Sequence, residues 1–412
     1  MLELLLFALI GIALGIIAGI IPGLHVNTIA LLMLGLAPAF GALPLAVAVI
    51  AMAISTTFFD FIPSTLLAAP DPETALSVLP GHRLLMEGRG LEAIYLAMLG
   101  GLCAMVFVAL LFPLMLILIP AFYSLVQGYI AWLLIGMSAF CVLSEKGVRP
   151  KAWSLAILLL SGALGFLALN SYSFSDALFP MFTGLFGTAS LLFSLRQPGN
   201  IPAQNLKPRP PPRKLLASGV LKGVFSGALV GTLPAMGAAQ ATMLTQQMTG
   251  SGRDPQATDL RKPEAGKDKE YLISIGAINT IVALFSLVSL YTIAKARSGT
   301  AMVVGTLLPE LGSSDLIVML GVALLATGIS ALLLMRTARG FVRSMSGVSY
   351  PVVSKAILAF LVALVFIFTG LPGLLLLAVS TAIGLLAPLS GTKRSTAMGC
   401  LMVPLILFYA GV

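Results

Sequence analysis

Two cations and two hydroxyls in one short polar loop form the group of residues best suited to bind an anion. Lys295 and Arg297 lie between two apolar runs, and Ser298 and Thr300 follow them. An arginine presents a planar fork that matches a carboxylate or a phosphate, and backbone N–H groups at a helix break add further donors. We therefore predict that these four residues contact an anionic substrate. The alternative is a short external loop that tolerates two charges.

Polar residues within or beside apolar runs indicate further chemistry. Asp60 lies inside such a run, and a charged carboxylate in hydrocarbon is costly, so it is expected to face a bundle interior and carry a proton or pair with a cation. We predict that Asp60 serves a coupling ion, H⁺ or Na⁺; the alternative is a structural hydrogen bond. His25 can titrate near neutral pH, unless it is a hydrogen-bonded interior histidine. Asn279 is predicted to form a polar wall of the site, and His82 is predicted to lie in a loop.

These side chains must be positioned by an element that the sequence contains twice. In each copy, three glycines at four-residue spacing precede a proline: Gly11, Gly15, Gly19 and Pro22, then Gly223, Gly227, Gly231 and Pro234. Such glycines line one face of a helix and permit close approach of another backbone, and the proline ends the helix. Because the two copies lie about half a chain apart, we predict two copies of one unit, each with a re-entrant hairpin. The alternative is that the glycines form only packing faces.

The residues at the two hairpin tips are predicted to bind substrate. They are Pro22, Gly23, His25, Asn27 and Thr28 in the first copy, and Pro234, Gly237, Gln240 and Thr242 in the second. A hydrophobic segment that is broken at corresponding positions of two halves is the sequence sign of a transporter binding site.

The composition places the chain in a membrane. Hydrophobic residues make up 58% of the sequence and charged residues only 9%, and the mean hydropathy is +1.05. No soluble core is built this way. The net charge of +9 is scattered over short loops, which does not indicate a nucleic-acid partner. Motifs such as Gly-x-Ser-x-Gly or His-Glu-x-x-His do not occur, so we predict neither an enzyme nor a cofactor.

A Pro-rich, basic linker over residues 196–214 divides a first repeat, residues 1–195, from a second, residues 215–412. Apolar runs predict five crossings in each half besides the hairpin: near 43–67, 93–119, 121–143, 152–169 and 177–195, then near 271–293, 314–335, 356–371, 374–390 and 396–411. Because five is odd, the halves must be inverted. The predicted fold is an all-α polytopic integral membrane protein of two inverted repeats.

The distribution of basic residues predicts the orientation of the chain. If the linker is cytoplasmic, both termini lie outside, and every Lys and Arg except Lys295 and Arg297 falls on the cytoplasmic side. We therefore predict a multi-pass protein of the cell membrane.

The chain resembles the large membrane subunit of tripartite tricarboxylate transporters, the TctA-like permeases, over most of both halves. The residues that carry the resemblance lie in the two tips, in the stretch 70–90 and in the region 279–300. The resemblance implies a secondary transporter that moves a carboxylate with a coupling ion by alternating access. In bacterial systems it also implies a small membrane subunit and a periplasmic binding protein as partners. A homodimer is a further expectation.

Two alternatives remain open at this stage. The Pro-Gly at the first tip, followed by a polar Thr-Ile-Ala run, also resembles polyprenyl-phosphate transporters, so a lipid phosphate is the alternative substrate. A membrane scaffold that docks partner helices on its glycine faces is the alternative without transport.

Overall fold

The computed structural model describes residues 2–22, 24–69, 74–171, 177–195, 201–231, 238–249, 265–345 and 350–411. Within these ranges the regular elements are all helical. Nine helices in this part of the chain are long and apolar enough to cross a membrane. The prediction of an all-α polytopic membrane protein is therefore confirmed.

The first half begins with a long helix and a short returning one. Its α-helices are α1 (Leu2–Ile20), α2 (Val26–Leu34), α3 (Ala37–Phe40), α4 (Ala42–Phe59), α5 (Phe61–Leu66), α6 (Val78–Met86), α7 (Gly90–Leu110), α8 (Phe112–Val126), α9 (Ile130–Leu143), α10 (Val148–Leu169), α11 (Leu178–Phe182) and α12 (Ala189–Ser194). Short 3-10 helices cover Ala75–Ser77 and Gln127–Tyr129, and a π-helical segment covers Thr183–Thr188.

One predicted boundary in this half is wrong. The sequence predicted that the runs 93–119 and 121–143 separate at Pro120, but the break comes at Leu111 and Pro120 lies inside α8. The reason is Pro113, which occupies the first turn of α8, where the missing N–H would have no partner within the helix. Proline therefore begins this helix and does not end it.

The second half also begins with a long helix and a shorter one. Its α-helices are α13 (Arg213–Gly231), α14 (Ala238–Thr249), α15 (Ala265–Ile293), α16 (Gly299–Leu307), α17 (Ser313–Met345), α18 (Tyr350–Ser390) and α19 (Gly399–Ala410), with a 3-10 helix over Arg394–Met398. Helix α18 is broken at Gly370, whose φ of 66° and ψ of −159° are accessible mainly to glycine. This break lies at the end of the predicted run 356–371 and before the run 374–390.

Each glycine face packs against the helix that follows its hairpin, and the two helices run in the same direction. The close approaches of α1 to α4, in order along both helices, are Gly11 to Ala48, Gly15 to Met52 and Gly19 to Phe59. Those of α13 to α15 are Gly223 to Ser274, Gly227 to Ile281 and Gly231 to Phe285. The chain therefore turns back after each glycine helix, and α2 and α14 belong to the two returning segments.

The helices α4 and α15 cross in opposite directions at the centre of the bundle. Thr57 Oγ1 on α4 donates a hydrogen bond of 3.4 Å to Thr280 Oγ1 on α15. Further along, a small cavity is lined by α4 residues with lower numbers and α15 residues with higher numbers: Ile50, Ala53 and Ile54 with Ala283, Leu284 and Leu287. Because the numbers fall on α4 as they rise on α15, the two helices are antiparallel.

Several helices of the first half pack against helices of the second half. Helix α4 packs against α17 and α15 against α7; α10 packs against α19, and α18 packs against the segment of α11 and α12. Each of these pairs joins one half to the other, so the two halves share one core.

Candidate functional site

The tip of the first hairpin lies between α1 and α2. Pro22 is buried, His25 is half-buried, and Asn27 and Thr28 are exposed; Gly23 lies outside the described residues. The side chain of Asn27 lies against Gly299, so closely that a Cβ on the glycine would come 2.6 Å from the amide carbon. The structure therefore brings the first tip onto the loop that follows α15, where the sequence predicted the anion contacts.

The loop after α15 folds back and begins a new helix inside the protein. Ala294 has a φ of 53°, and the chain then returns until the backbone N–H of Arg297 donates to Ser286 Oγ at 3.2 Å. Ser286 Oγ donates in turn to Ser298 Oγ at 3.0 Å. Ser298 caps α16, because its Oγ accepts from the N–H of Ala301. The N-terminus of α16, the positive end of the helix dipole, therefore faces the first tip.

The first half contains the same reversal of the backbone. Ala68 has a φ of 48°, and Ala68 and Ala294 are the non-glycine residues with positive φ among those that the structure describes. Ala68 and Ala294 are separated by the same number of residues as Phe59 and Phe285. These two phenylalanines contact the last glycine of each glycine face. Alanine rarely adopts this conformation, so a structure that imposes it twice repeats a turn that both halves require.

One edge of the Arg297 guanidinium is buried and has no partner. Its Nε and Nη2 atoms lack a hydrogen-bond acceptor among the described residues, and burial lowers the pKa of this arginine from 12.5. Nε and Nη2 form the edge that grips a carboxylate with two parallel hydrogen bonds. Arg89 shows this use in the same protein, because its Nε and Nη2 atoms donate to the two carboxylate oxygens of Glu92 at 3.0 and 2.8 Å.

A tyrosine from the first half lies beside both cations. The ring centroid of Tyr123 is 4.8 Å from Arg297 Cζ and 5.1 Å from Lys295 Nζ, and Lys295 Nζ donates to Tyr123 Oη at 2.8 Å. Within the described part of the chain, no carboxylate forms an ion pair with either cation. The sequence analysis missed Tyr123, since a tyrosine in a long apolar run carries no signal that links it to a loop 172 residues away.

Asp60 and Asn279 meet where α4 and α15 cross. Asn279 Nδ2 donates to Asp60 Oδ2 at 2.9 Å and lies 3.3 Å from the carbonyl oxygen of Thr57. Both side chains are buried, with exposed fractions of 3% and 1%. Gly19, near the end of α1, lies against the backbone nitrogen of Asp60. Asn279 is therefore placed beside the candidate coupling residue, next to the first hairpin.

The second tip is described only in its returning helix. Pro234 and Gly237 lie outside the described residues. Gln240 and Thr242 are buried in α14, where Thr242 Oγ1 donates to the carbonyl of Ala239 at 2.8 Å. The assignment of these residues to the substrate remains a prediction.

His82 is a correction to the sequence analysis. It lies inside α6 and is buried, whereas a loop was predicted. Burial disfavours the imidazolium and, with a smaller contribution from the charge of Arg394, lowers the pKa of His82 from 6.5 to about 4. A lone histidine next to Pro80 and Gly81 suggested a loop, but α6 continues through both residues.

Comparison with known proteins identifies a family. The model of the "Tripartite tricarboxylate transporter TctA family" matches residues 5–399. A protein of Methanocaldococcus jannaschii that is described as an uncharacterized protein, MJ1079, is 30% identical over 418 residues, which cover 98% of each chain. No solved structure matches the chain.

Proposed function

Because the chain belongs to the tripartite tricarboxylate transporter TctA family, we propose that it is an ion-coupled permease for an organic anion and that the anion binds at Arg297. The observation that carries this proposal is the buried Nε and Nη2 edge of Arg297, which has no acceptor among the described residues. A buried donor without a partner costs stability, and a carboxylate supplies two acceptors at once.

Three further groups surround the proposed anion position. The N-terminus of α16 contributes free backbone donors and the positive end of a helix dipole. Lys295 adds a second positive charge, and Asn27 brings the first hairpin tip against Gly299. The substrate is a carboxylate in this proposal because two-point binding at a planar fork favours it over a spherical anion.

Asp60 is proposed to bind the coupling ion. It is buried at the crossing of α4 and α15 and accepts a hydrogen bond from Asn279. A carboxylate at this depth is stabilised by a proton or a Na⁺ ion, and either ion would change the contact between a helix of the first half and a helix of the second. This location suits a residue that couples ion binding to the relative movement of the halves.

Alternating access is proposed to arise from two inverted repeats. One support is the antiparallel crossing of α4 and α15, each of which has a parallel glycine helix beside it. Another is that helices of one half pack against helices of the other. In transporters of this kind, one repeat rocks against the other around a fixed site.

The proposed orientation places the linker and the basic loops in the cytoplasm. Loops that the sequence assigned to this side contact one another: Arg83 with Asp268, Lys269 with Glu92, and the backbone N–H of Lys393 with Glu145. Cysteine labelling from outside the cell, in a background without the native cysteines, should therefore modify Glu310→Cys and spare Lys207→Cys. The reverse pattern would overturn the orientation.

The cell membrane is the proposed location. Members of this family work in tripartite systems with a small membrane subunit and a periplasmic binding protein, and we extend this expectation to the present chain.

Thermal unfolding of the purified protein with a panel of anions tests the proposed site. Citrate, succinate, inorganic phosphate and a polyprenyl phosphate should be compared at equal ionic strength. We expect a carboxylate to raise the melting temperature of the parent and of Arg339→Leu, an exposed control on α17, and not that of Arg297→Leu.

Three outcomes would contradict the proposal. Stabilisation that survives in Arg297→Leu would remove the arginine from the site. Stabilisation only by a polyprenyl phosphate would favour the lipid carrier, and stabilisation by no anion would favour a scaffold.

A further inference from the structure

Tyr123 contacts both cations of the proposed anion site, where a ligand would otherwise bind. Its hydroxyl accepts from Lys295 Nζ at 2.8 Å, and its ring lies within about 5 Å of both cationic groups. The side chain is 9% exposed. A tyrosine of the first half therefore covers a loop of the second half at the point where the anion is proposed to bind.

A phenol satisfies this pair of charges poorly. It is neutral, whereas hydrogen bonds from a cation to an ionised acceptor are shorter and about twice as strong as those to a neutral acceptor. The phenol also leaves the Nε and Nη2 edge of Arg297 without an acceptor. An anionic group that reaches Lys295 should therefore displace the hydroxyl.

Tyr123 lies near the end of its helix. Pro120, one turn earlier in α8, removes a backbone hydrogen bond. One turn later, α8 ends at Val126 and gives way to the 3-10 helix Gln127–Tyr129. Fewer backbone hydrogen bonds therefore hold the last turns of α8, which carry Tyr123.

We propose that Tyr123 is a positioning residue that competes with the ligand for Lys295. In the empty site its hydroxyl holds the ammonium group. A substrate with two anionic groups places one of them on the Nε and Nη2 edge of Arg297 and the other on Lys295, where it displaces the hydroxyl. The ring stays beside Arg297 and keeps the fork in place. This inference rests on the proposed function and goes further, because it assigns the second anionic group of the substrate to one exchangeable contact.

The variant Tyr123→Phe tests this competition, since it removes the hydroxyl and keeps the ring. We expect its affinity for succinate, a dianion, to rise roughly three- to tenfold, the range for losing one competing neutral hydrogen bond. Its affinity for acetate, which needs only Arg297, should change less than about twofold. Tyr129→Phe, which alters an exposed tyrosine of the neighbouring 3-10 helix, is the matched control and should leave both affinities unchanged.

A second background shows whether the gain acts through Lys295. In Lys295→Gln, the additional Tyr123→Phe change should no longer raise the affinity for succinate. If the hydroxyl has only a structural role, Tyr123→Phe should instead lower the affinity for both succinate and acetate, in the parent and in Lys295→Gln.

The possible failures are distinguishable. If the parent binds succinate, Arg297→Leu abolishes binding, and Tyr123→Phe gives no gain selective for succinate, only the competition is wrong. If the parent binds neither succinate nor acetate, both the proposed function and this inference are wrong.

Discussion

The charged residues at the two ends of helix α15 differ in their partners. At its beginning, Asp268, Lys269 and Glu270 each pair with a side chain of another helix, namely Arg83, Glu92 and Lys222. Beyond its end, neither Lys295 nor Arg297 pairs with a carboxylate among the described residues, and the neutral Tyr123 lies beside both. The protein therefore supplies carboxylates where charges tie helices together, and it supplies none where we propose that a ligand brings one.

This difference separates stability from binding. Removing a cation at the paired end should destabilise the fold and leave anion affinity unchanged. Removing one at the unpaired end should do the reverse.

The largest effect is expected for Arg83→Leu. Arg83 and Asp268 pair at 3.3 Å with 5% of each side chain exposed, so the variant leaves a buried carboxylate without its cation. We expect a loss of up to about 3–5 kcal/mol in the free energy of unfolding, the range for breaking a buried ion pair, measured by thermal or denaturant unfolding in detergent. The affinity for a carboxylate, measured below the melting temperature, should stay within twofold of the parent's, or about 0.4 kcal/mol. A large loss of affinity in the folded variant would break the separation.

The paired end should also lose stability in acid because of His82. The pKa of this residue is lowered from 6.5 to about 4 in the folded protein, so the unfolded chain binds the proton first. The stability that depends on neutral His82 is complete above pH 6.5 and declines as the pH falls toward 4. The total is about 3 kcal/mol.

A pH series of unfolding measurements checks this loss. His82→Asn should flatten the pH dependence between pH 6.5 and 4 relative to the parent, whatever its stability at neutral pH. An equally steep dependence in the variant would assign the proton to another group.

At the unpaired end, Asn27→Ala should weaken carboxylate binding by about 0.5–1.5 kcal/mol, the usual contribution of one hydrogen bond. Asn27 is exposed and lies against Gly299, so the melting temperature should not change. Asn205→Ala changes an exposed asparagine of the linker and serves as a control. Equal affinities in the parent and in Asn27→Ala would make the first tip a structural element only.

The smallest effect is expected for Lys295→Gln. Lys295 is exposed, so its loss should slow uptake through weaker steering, and it should change the affinity for acetate, which needs only Arg297, by no more than about 0.5 kcal/mol. The deficit should shrink as ionic strength rises, because salt screens exposed charges. Uptake rates at low and high salt measure it; a deficit that does not depend on salt would point to a buried contact instead.

The sequence predicted the architecture better than the site. The glycine faces at Gly11 and Gly223 indicated two hairpins because spacing on a helix is a local property that can be read directly. The break at Leu111 was missed because Pro113 and Pro120 look equally able to end a helix, and only position within the first turn distinguishes them.

The site required information that is not local. Arg297 was identified from its charge and its position in a loop, but its free edge depends on the turn at Ala294 and on the bond to Ser286. Asn279 was predicted to line the substrate site, which stays a prediction, and its hydrogen bond to Asp60 could not be read from the sequence because the two residues are far apart in the chain. Tyr123 could not be found at all, because its contact with Lys295 joins distant parts of the chain.

Calorimetric titration of citrate into the parent, Arg297→Lys and Arg89→Lys tests whether Arg297 binds the substrate anion. The two arginines offer the same Nε and Nη2 edge, which Glu92 fills in one case and nothing among the described residues fills in the other. Lysine cannot reproduce the two-point contact, so Arg297→Lys should weaken citrate binding by about 1–3 kcal/mol, and Arg89→Lys should leave it unchanged. Equal citrate affinities in the parent and in Arg297→Lys would contradict the assignment of the substrate anion to Arg297.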